Sequence, residues 1–332
     1  MEQFVVFTII LALFFDFLNG FHDSANAIAT VVATKVLSPL KAVTMAAVFN
    51  LIGPLFFGTA IATTMGKGII DTQIVTVNLI FATLVGAVIW DLITWYLGLP
   101  TSSSHALVGG LVGAGIAAAG TGSVNAAGVG LIVLFMVVSP IIGLIMGFIF
   151  AILIIRAFRS SHPSTVNHYF RRLQLFSSAF YSLTHGTNDA QKTMGIIAIL
   201  LVSTSVSSPP SGGLHIPLWV ILSCAAAIGL GTFFGGWRIV KTMAQRITRL
   251  RPYQGFSAET SSGVVLASMA AMGIPVSTTH VISSSIMGVG ATDKLSAVRW
   301  GIARKIVGAW ILTIPAAAII SASAFLIMRA FS

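Results

Sequence analysis

Charge is scarce in this chain. Of 332 residues, 8% are Asp, Glu, Lys or Arg and 56% are hydrophobic, whereas an average soluble domain carries roughly 25% charged residues. That balance excludes a soluble globular protein. Cysteine is limited to Cys224, inside an apolar run, so an intrachain disulfide is excluded as well. A polar stretch long enough to form a soluble domain is lacking; the longest runs from about Arg156 to Arg172. The short alternating strands of a membrane barrel are also missing. Met1-Glu2-Gln3 lacks the basic n-region of a cleaved leader, so Phe4 onward is expected to be an uncleaved first span.

What the chain has instead is long apolar runs: Phe4–Phe17, Val43–Ala62, Val129–Ile155, Leu218–Phe234 and Ile306–Met328. A spanning helix needs about 20 mostly apolar residues, and only helices or closed barrels satisfy every backbone group in lipid. The expected fold is an all-α polytopic membrane protein, bathed in lipid. The net charge of +10 comes largely from three clusters. These are Arg156, Arg159, Arg171 and Arg172; then Arg238, Lys241, Arg246, Arg249 and Arg251; then Lys294, Arg299, Arg304 and Lys305. Basic residues beside spans are what the positive-inside rule requires. Nucleic-acid binding is not expected, since aromatic platforms and a recognisable motif are missing.

Two motifs occur twice, in the same order. Asn19-Gly20-Phe21-His22-Asp23-Ser24-Ala25-Asn26-Ala27 returns as His185-Gly186-Thr187-Asn188-Asp189-Ala190-Gln191-Lys192-Thr193. Pro100-Thr101-Ser102-Ser103-Ser104-His105 returns as Pro275-Val276-Ser277-Thr278-Thr279-His280. The chain therefore divides into repeats at 1–155 and 173–332, joined by a basic linker at 156–172. With the basic clusters placed in the cytoplasm, the first span runs inward and the second, about Lys41–Ala62, runs outward. The uncharged stretch Gly120–Ala127 lies outside, so Leu79–Ala119 enters and leaves there as a hairpin turning near Pro100. Val129–Ile155 returns to the linker, and Leu173–Val202 crosses to a Ser/Pro/Gly loop at Ser203–Gly213. Leu218–Gly236 comes back, Gln254–Gly290 forms the matching hairpin, and the last span exits. Both termini are then outside, and the second repeat is inverted relative to the first. Hairpins that are ordinary pairs of full spans would preserve the same sidedness.

The first motif interrupts an apolar span with Gly, Asn and Asp, so each of its copies is expected to unwind a helix. Irregular backbone at membrane depth is tolerated only where it lines a cavity enclosed by protein or filled with water. Asp23 and Asp189 would each cost about 3 kcal/mol there on insertion scales, which makes them functional candidates. Capping of a resumed half-helix is a second use for them. Two repeat-related carboxylates point to cation or proton sites. His22, in the same break, is a candidate for proton handling. Asp16 is expected on the cation path or paired with Lys192, and Asp91 and Glu259 as interhelical groups.

The second motif points to an anion. Each proline ends one helix arm, and Thr101-Ser102-Ser103 or Ser277-Thr278-Thr279 opens the next. A helix N-terminus presents free N–H groups and the positive end of its dipole. The hydroxyls can both donate and accept, which suits a partly protonated oxyanion. His105 and His280 fit helix packing and substrate contact equally.

Together these motifs resemble the inorganic phosphate transporter (PiT) family over essentially the whole chain, with Gly236-Trp237-Arg238 as a weaker match. The resemblance implies phosphate held by Thr101, Ser102, Ser103, Ser277, Thr278 and Thr279. It implies coupling cations near Asp23, Asn26, Asn188 and Asp189, with His22, Gln191 and Lys192 as further coupling candidates. Sodium-coupled members carry Gly-x-Asn-Asp-x-x-Asn in both halves. Here His22 replaces an Asn, and Gln191-Lys192 replaces the later residues of the second copy. That pattern is similar to the bacterial low-affinity, proton-coupled branch, thought to move phosphate with a divalent metal. The expected protein is a carrier in the cell membrane, not an enzyme, driven by protons or sodium, without a resident cofactor and compatible with a homodimer. A sulfate permease of the same fold is the nearest alternative, followed by an anion channel and an intramembrane hydrolase.

Overall fold

A computed structural model describes residues 2–56, 58–204 and 214–331. The Ser/Pro/Gly loop expected at 203–213 lies mostly outside these residues. Among the described residues there are twelve α-helices and no strand beyond one isolated bridge between Ile70 and Val124. In chain order they are α1 (Glu2–Ala33), α2 (Pro39–Ile52), α3 (Ala60–Lys67), α4 (Val77–Leu97), α5 (Ser103–Ala119) and α6 (Ala126–Ala157). There follow α7 (Pro163–Ser203), α8 (Leu218–Phe234), α9 (Trp237–Lys241), α10 (Pro252–Ala271), α11 (Thr278–Ala291) and α12 (Trp300–Ala330). The all-α polytopic membrane class is correct. α1, α4, α6 and α12 are each long and apolar enough to cross a bilayer, and α6 exposes Leu134, Val137, Ile141, Ile145 and Leu153. Lipid takes the place of a partner for such a face.

The two copies of the first motif do not unwind. Asn19–Ala27 lies inside a continuous α1, and His185–Thr193 inside a continuous 41-residue α7. The broken helices expected there are therefore corrected, and with them any half-helix for Asp23 or Asp189 to cap. The glycines serve close packing instead. A Cβ at Gly20 would stand 2.2 Å from the Ile228 carbonyl oxygen of α8, and one at Gly186 would stand 2.4 Å from that of Asn50 in α2. Small residues let membrane helices approach backbone to backbone, while an unbroken ladder leaves no peptide group unsatisfied.

The break falls elsewhere. α8 and the helical segment after it form a bent pair, 57° apart, at Gly235-Gly236. Gly235 has φ 69°, where a side chain is strained. The linker also contracts. α6 continues to Ala157 and Pro163 opens α7 at its first position, with His162 as N-cap, so the connection is only 158–162.

Both hairpins form where the prolines place them. After α4, Gly98 takes a left-handed cap (φ 65°) and the chain turns through Leu99-Pro100-Thr101. Ser102 then caps α5, its Oγ accepting from His105 N at 3.3 Å. After α10, Gly273 (φ 67°) turns the chain and Ser277 caps α11, accepting from His280 N at 3.2 Å. Each tip helix packs on a long helix of the other half, α5 on α12 and α11 on α6. The close approaches match: a Cβ at Gly113 would meet Ala318 O at 2.0 Å, and one at Gly288 would meet Leu144 O at 2.1 Å. α6 and α12 each carry one interior proline, Pro140 and Pro315.

Candidate substrate and cation site

α1 and α7 bring their motif copies face to face at the tips of the hairpins. Asp23 and Asp189 are both buried, 3% and 0% exposed. Thr278, in the first turn of α11, joins them: its Oγ1 is 3.1 Å from Asp189 Oδ2 and 3.4 Å from Asp23 Oδ2. Thr279 Oγ1 donates to Asp23 Oδ2 at 3.1 Å and accepts from Asn26 Nδ2 at 2.9 Å. Two carboxylates therefore converge on the N-terminus of α11, where the helix dipole and free N–H groups favour negative charge.

The first tip closes the other side. His22 pairs through Nδ1 with Asp23 Oδ1 at 2.7 Å, and its Nε2 lies 3.2 Å from Thr94 and 3.4 Å from Thr101 hydroxyls. Thr101 donates to Thr94 at 2.9 Å. Lys192 Nζ reaches Asp189 Oδ1 at 2.6 Å, Ser104 Oγ of the first tip at 2.5 Å, and the Val276 carbonyl of the second at 2.9 Å. One ammonium thus touches both tips. His105 and His280 meet ring to ring at 4.8 Å, and His280 stacks on Trp310 at 3.9 Å, a packing role.

Hydrogen bonds and ion pairs join Thr101, Thr278, Thr279, His22, Asp23, Asn26, Asp189 and Lys192 in one buried network. Ser102 and Ser277 are buried N-caps and Ser103 is buried at the first tip, with no hydrogen bond from these three to either carboxylate. Two candidates stand apart. Gln191 Oε1 accepts from Ile61 N at 3.0 Å and so caps α3. Asn188 donates to the carbonyls of Thr184 and Leu266. Neither hydrogen-bonds to Asp23 or Asp189. Asp16 does not pair with Lys192, because Thr193 donates to its Oδ1 at 2.9 Å and Lys192 turns to Asp189. Glu259 is an interhelical group: Thr30 of α1, and Gln174 and Ser177 of α7, all donate to it.

Two residues go unnoticed in the sequence. His185 Nε2 lies 3.1 Å from Asp189 Oδ2 and 4.0 Å from Asp23 Oδ2, with Nδ1 held by Asn50 Oδ1 at 3.2 Å. It stands where the first copy has Asn19, so the repeat conceals it. Ser104 belongs to the quoted tip, and its contact with Lys192 depends on which face of α5 turns inward. Asp23, His185 and Asp189 each offer one ligand atom, all within 4.8 Å of one another. Two carboxylates and an imidazole form a donor set that suits a divalent metal.

A lipid-facing helical bundle with paired carboxylates buried at its centre, and two capped helix N-termini turned towards them, defines a multi-pass membrane transporter. Residues 19–165 and 155–321 match the Phosphate transporter family, and the chain belongs to that family. It is 53% identical over 314 residues to a Rhizobium meliloti protein named "Probable low-affinity inorganic phosphate transporter", covering 95% of this chain and 93% of that one. A Bacillus subtilis protein of the same name is 44% identical over 326 residues, covering 98% and 97%. The solved structure of "The sodium-dependent phosphate transporter" superposes with a TM-score of 0.89 at 26% identity, covering 99% of this chain and 100% of that one. This is a family of transporters, not of enzymes.

Proposed function

We propose that this chain carries inorganic phosphate across the cytoplasmic membrane by cation-coupled alternating access. The halves 1–155 and 173–332 act as inverted repeats around one midplane site. The observation that carries the reading is the convergence of Asp23 and Asp189 on Thr278 at the mouth of α11. A cation bound by these carboxylates would stand beside an anion held by the tip hydroxyls and N–H groups, so each ligand would favour the other. The carboxylates also distinguish the anion. Hydrogen phosphate has a proton to donate to an acceptor, whereas sulfate has none. Protons and sodium are both candidate coupling ions, and His22 beside Asp23 gives the proton a carrier. The Asp23–His185–Asp189 set supports a divalent metal as co-transported cargo.

The test is uptake of labelled phosphate and of labelled sulfate into proteoliposomes, with sodium, pH and magnesium varied separately. Phosphate accumulation against its gradient, driven by one imposed cation gradient, is the expected result. Sulfate in preference to phosphate would reassign the substrate. An ohmic, unsaturable flux would make the protein a channel.

A further inference from the structure

Resting on the reading that this centre couples phosphate to cations, we propose that Lys192 is a tethered cation. Its ammonium permanently fills the cation position at Asp189 Oδ1, so a mobile cation is loaded only on the other side, at Asp23, Asn26 and the remaining oxygen of Asp189. Asn26 and Lys192 are the same position in the two copies of the motif, three residues after Asp23 and Asp189. Each crosses to the hairpin tip of the opposite half, at equivalent residues: Asn26 Nδ2 donates to Thr279 Oγ1, and Lys192 Nζ to Ser104 Oγ.

The three donors of the ammonium are all met by oxygens of kinds that also ligate hard cations. Three oxygens surround Nζ: the Asp189 carboxylate, the Ser104 hydroxyl and the Val276 carbonyl, at 2.6, 2.5 and 2.9 Å. Hard cations are held by this mixture of carboxylate, hydroxyl and carbonyl oxygen. The three oxygens come from α7 and from both tips, so whatever positive charge sits there ties the tips together. The first half has no fixed charge at the equivalent position. Asn26 is neutral, and among the described residues its Oδ1, like that of Asn188 beside Asp189, is buried without a hydrogen-bond partner. An unsatisfied carbonyl oxygen three residues from a buried carboxylate is an available ligand, and burial without one is costly.

Simple neutralisation of Asp189 is the competing account of Lys192. The two differ in what happens when the charge is removed. A neutraliser leaves behind a damaged site, whereas a tethered cation leaves behind a cation site. Purified wild type, Lys192→Asn, Lys192→Gln and Lys192→Arg are compared in potassium and in sodium, by thermal unfolding in detergent and by phosphate uptake in proteoliposomes. Wild type and Lys192→Arg are expected to respond alike to the exchange, by no more than the first half's own cation requires, and less than the neutral variants. Lys192→Asn or Lys192→Gln is expected to be stabilised by sodium and to gain at least about 10-fold sodium stimulation of uptake. Folded neutral variants whose unfolding temperature is the same in both salts would overturn the proposal, as would a wild type stabilised equally by sodium. Should the neutral variants be recoverable only when purified in sodium, the proposal stands; recovery in neither salt contradicts it. Unfolding does not involve phosphate, so a wild type that transports none defeats the functional reading and still leaves Lys192 scored.

Discussion

A side chain added at Gly20 or Gly186 has nowhere to go. Backbone carbonyls of α8 and α2 stand 2.2 and 2.4 Å from where the first carbon would be, and backbone cannot rotate aside as a side chain can. Gly20→Val and Gly186→Val should each force two helices apart. A loss of about 1–3 kcal/mol is expected, the range for overpacking a well-packed interior. Thermal unfolding in detergent measures it, and an unchanged midpoint would show that the interfaces are looser than these distances imply. Asp189 and Lys192 are coupled in another way, because each is buried and each neutralises the other. Removing one partner of a buried pair strands a charge at a cost of about 3–5 kcal/mol. Lys192→Met should therefore destabilise the protein more than Asp189→Asn combined with Lys192→Met, a comparison that a double-mutant cycle makes directly.

At the scale of elements, the hairpin tips were the most legible part of the sequence. Proline followed by Ser or Thr announces where one helix stops and the next begins, and Ser102 and Ser277 do cap α5 and α11. Replacing either with Ala should cost about 1 kcal/mol, the usual value of an N-cap, and should raise KM for phosphate. Equal loss of stability with an unchanged KM would remove that serine from the anion site. The first motif was misleading as structure. Asn, Gly and Asp are poor helix formers, but propensity is a weak prior that tertiary context overrides. Here the enclosed setting makes the intrahelical hydrogen bond the cheapest option for α1 and α7, and the glycines are needed for contact with α8 and α2. The bend at Gly235-Gly236 was hidden because the Gly-Trp-Arg stretch is a weak signal. Its role emerges only from packing: Ser24 Oγ accepts from Gly236 N at 2.6 Å, and Arg238 lies 5.1 Å from the Trp95 ring and 4.8 Å from that of Tyr96.

For the whole molecule, the two motif copies matter because they bring Asp23 and Asp189 together at Thr278. The basic clusters gather around the connection at 158–162 and the stretch from α9 to the start of α12, and the positive-inside rule predicts that these face the cytoplasm. A cysteine introduced at Ser161 should react with an impermeant reagent only from the cytoplasmic face, and one at Thr121 only from outside; both positions are exposed. The native Cys224 is buried and leaves the background low. Labelling of both from the same face would break the proposed inversion of the halves. The proposed coupling rests on Asp23 and Asp189 acting as one cation centre beside the anion. It is tested most directly by uptake of labelled phosphate into proteoliposomes bearing Asp23→Asn or Asp189→Asn, under the cation gradient that drives the wild type. Loss of accumulation in both variants, with the folded protein retained, is the predicted result. Normal accumulation in either would take that carboxylate out of the mechanism and contradict the account.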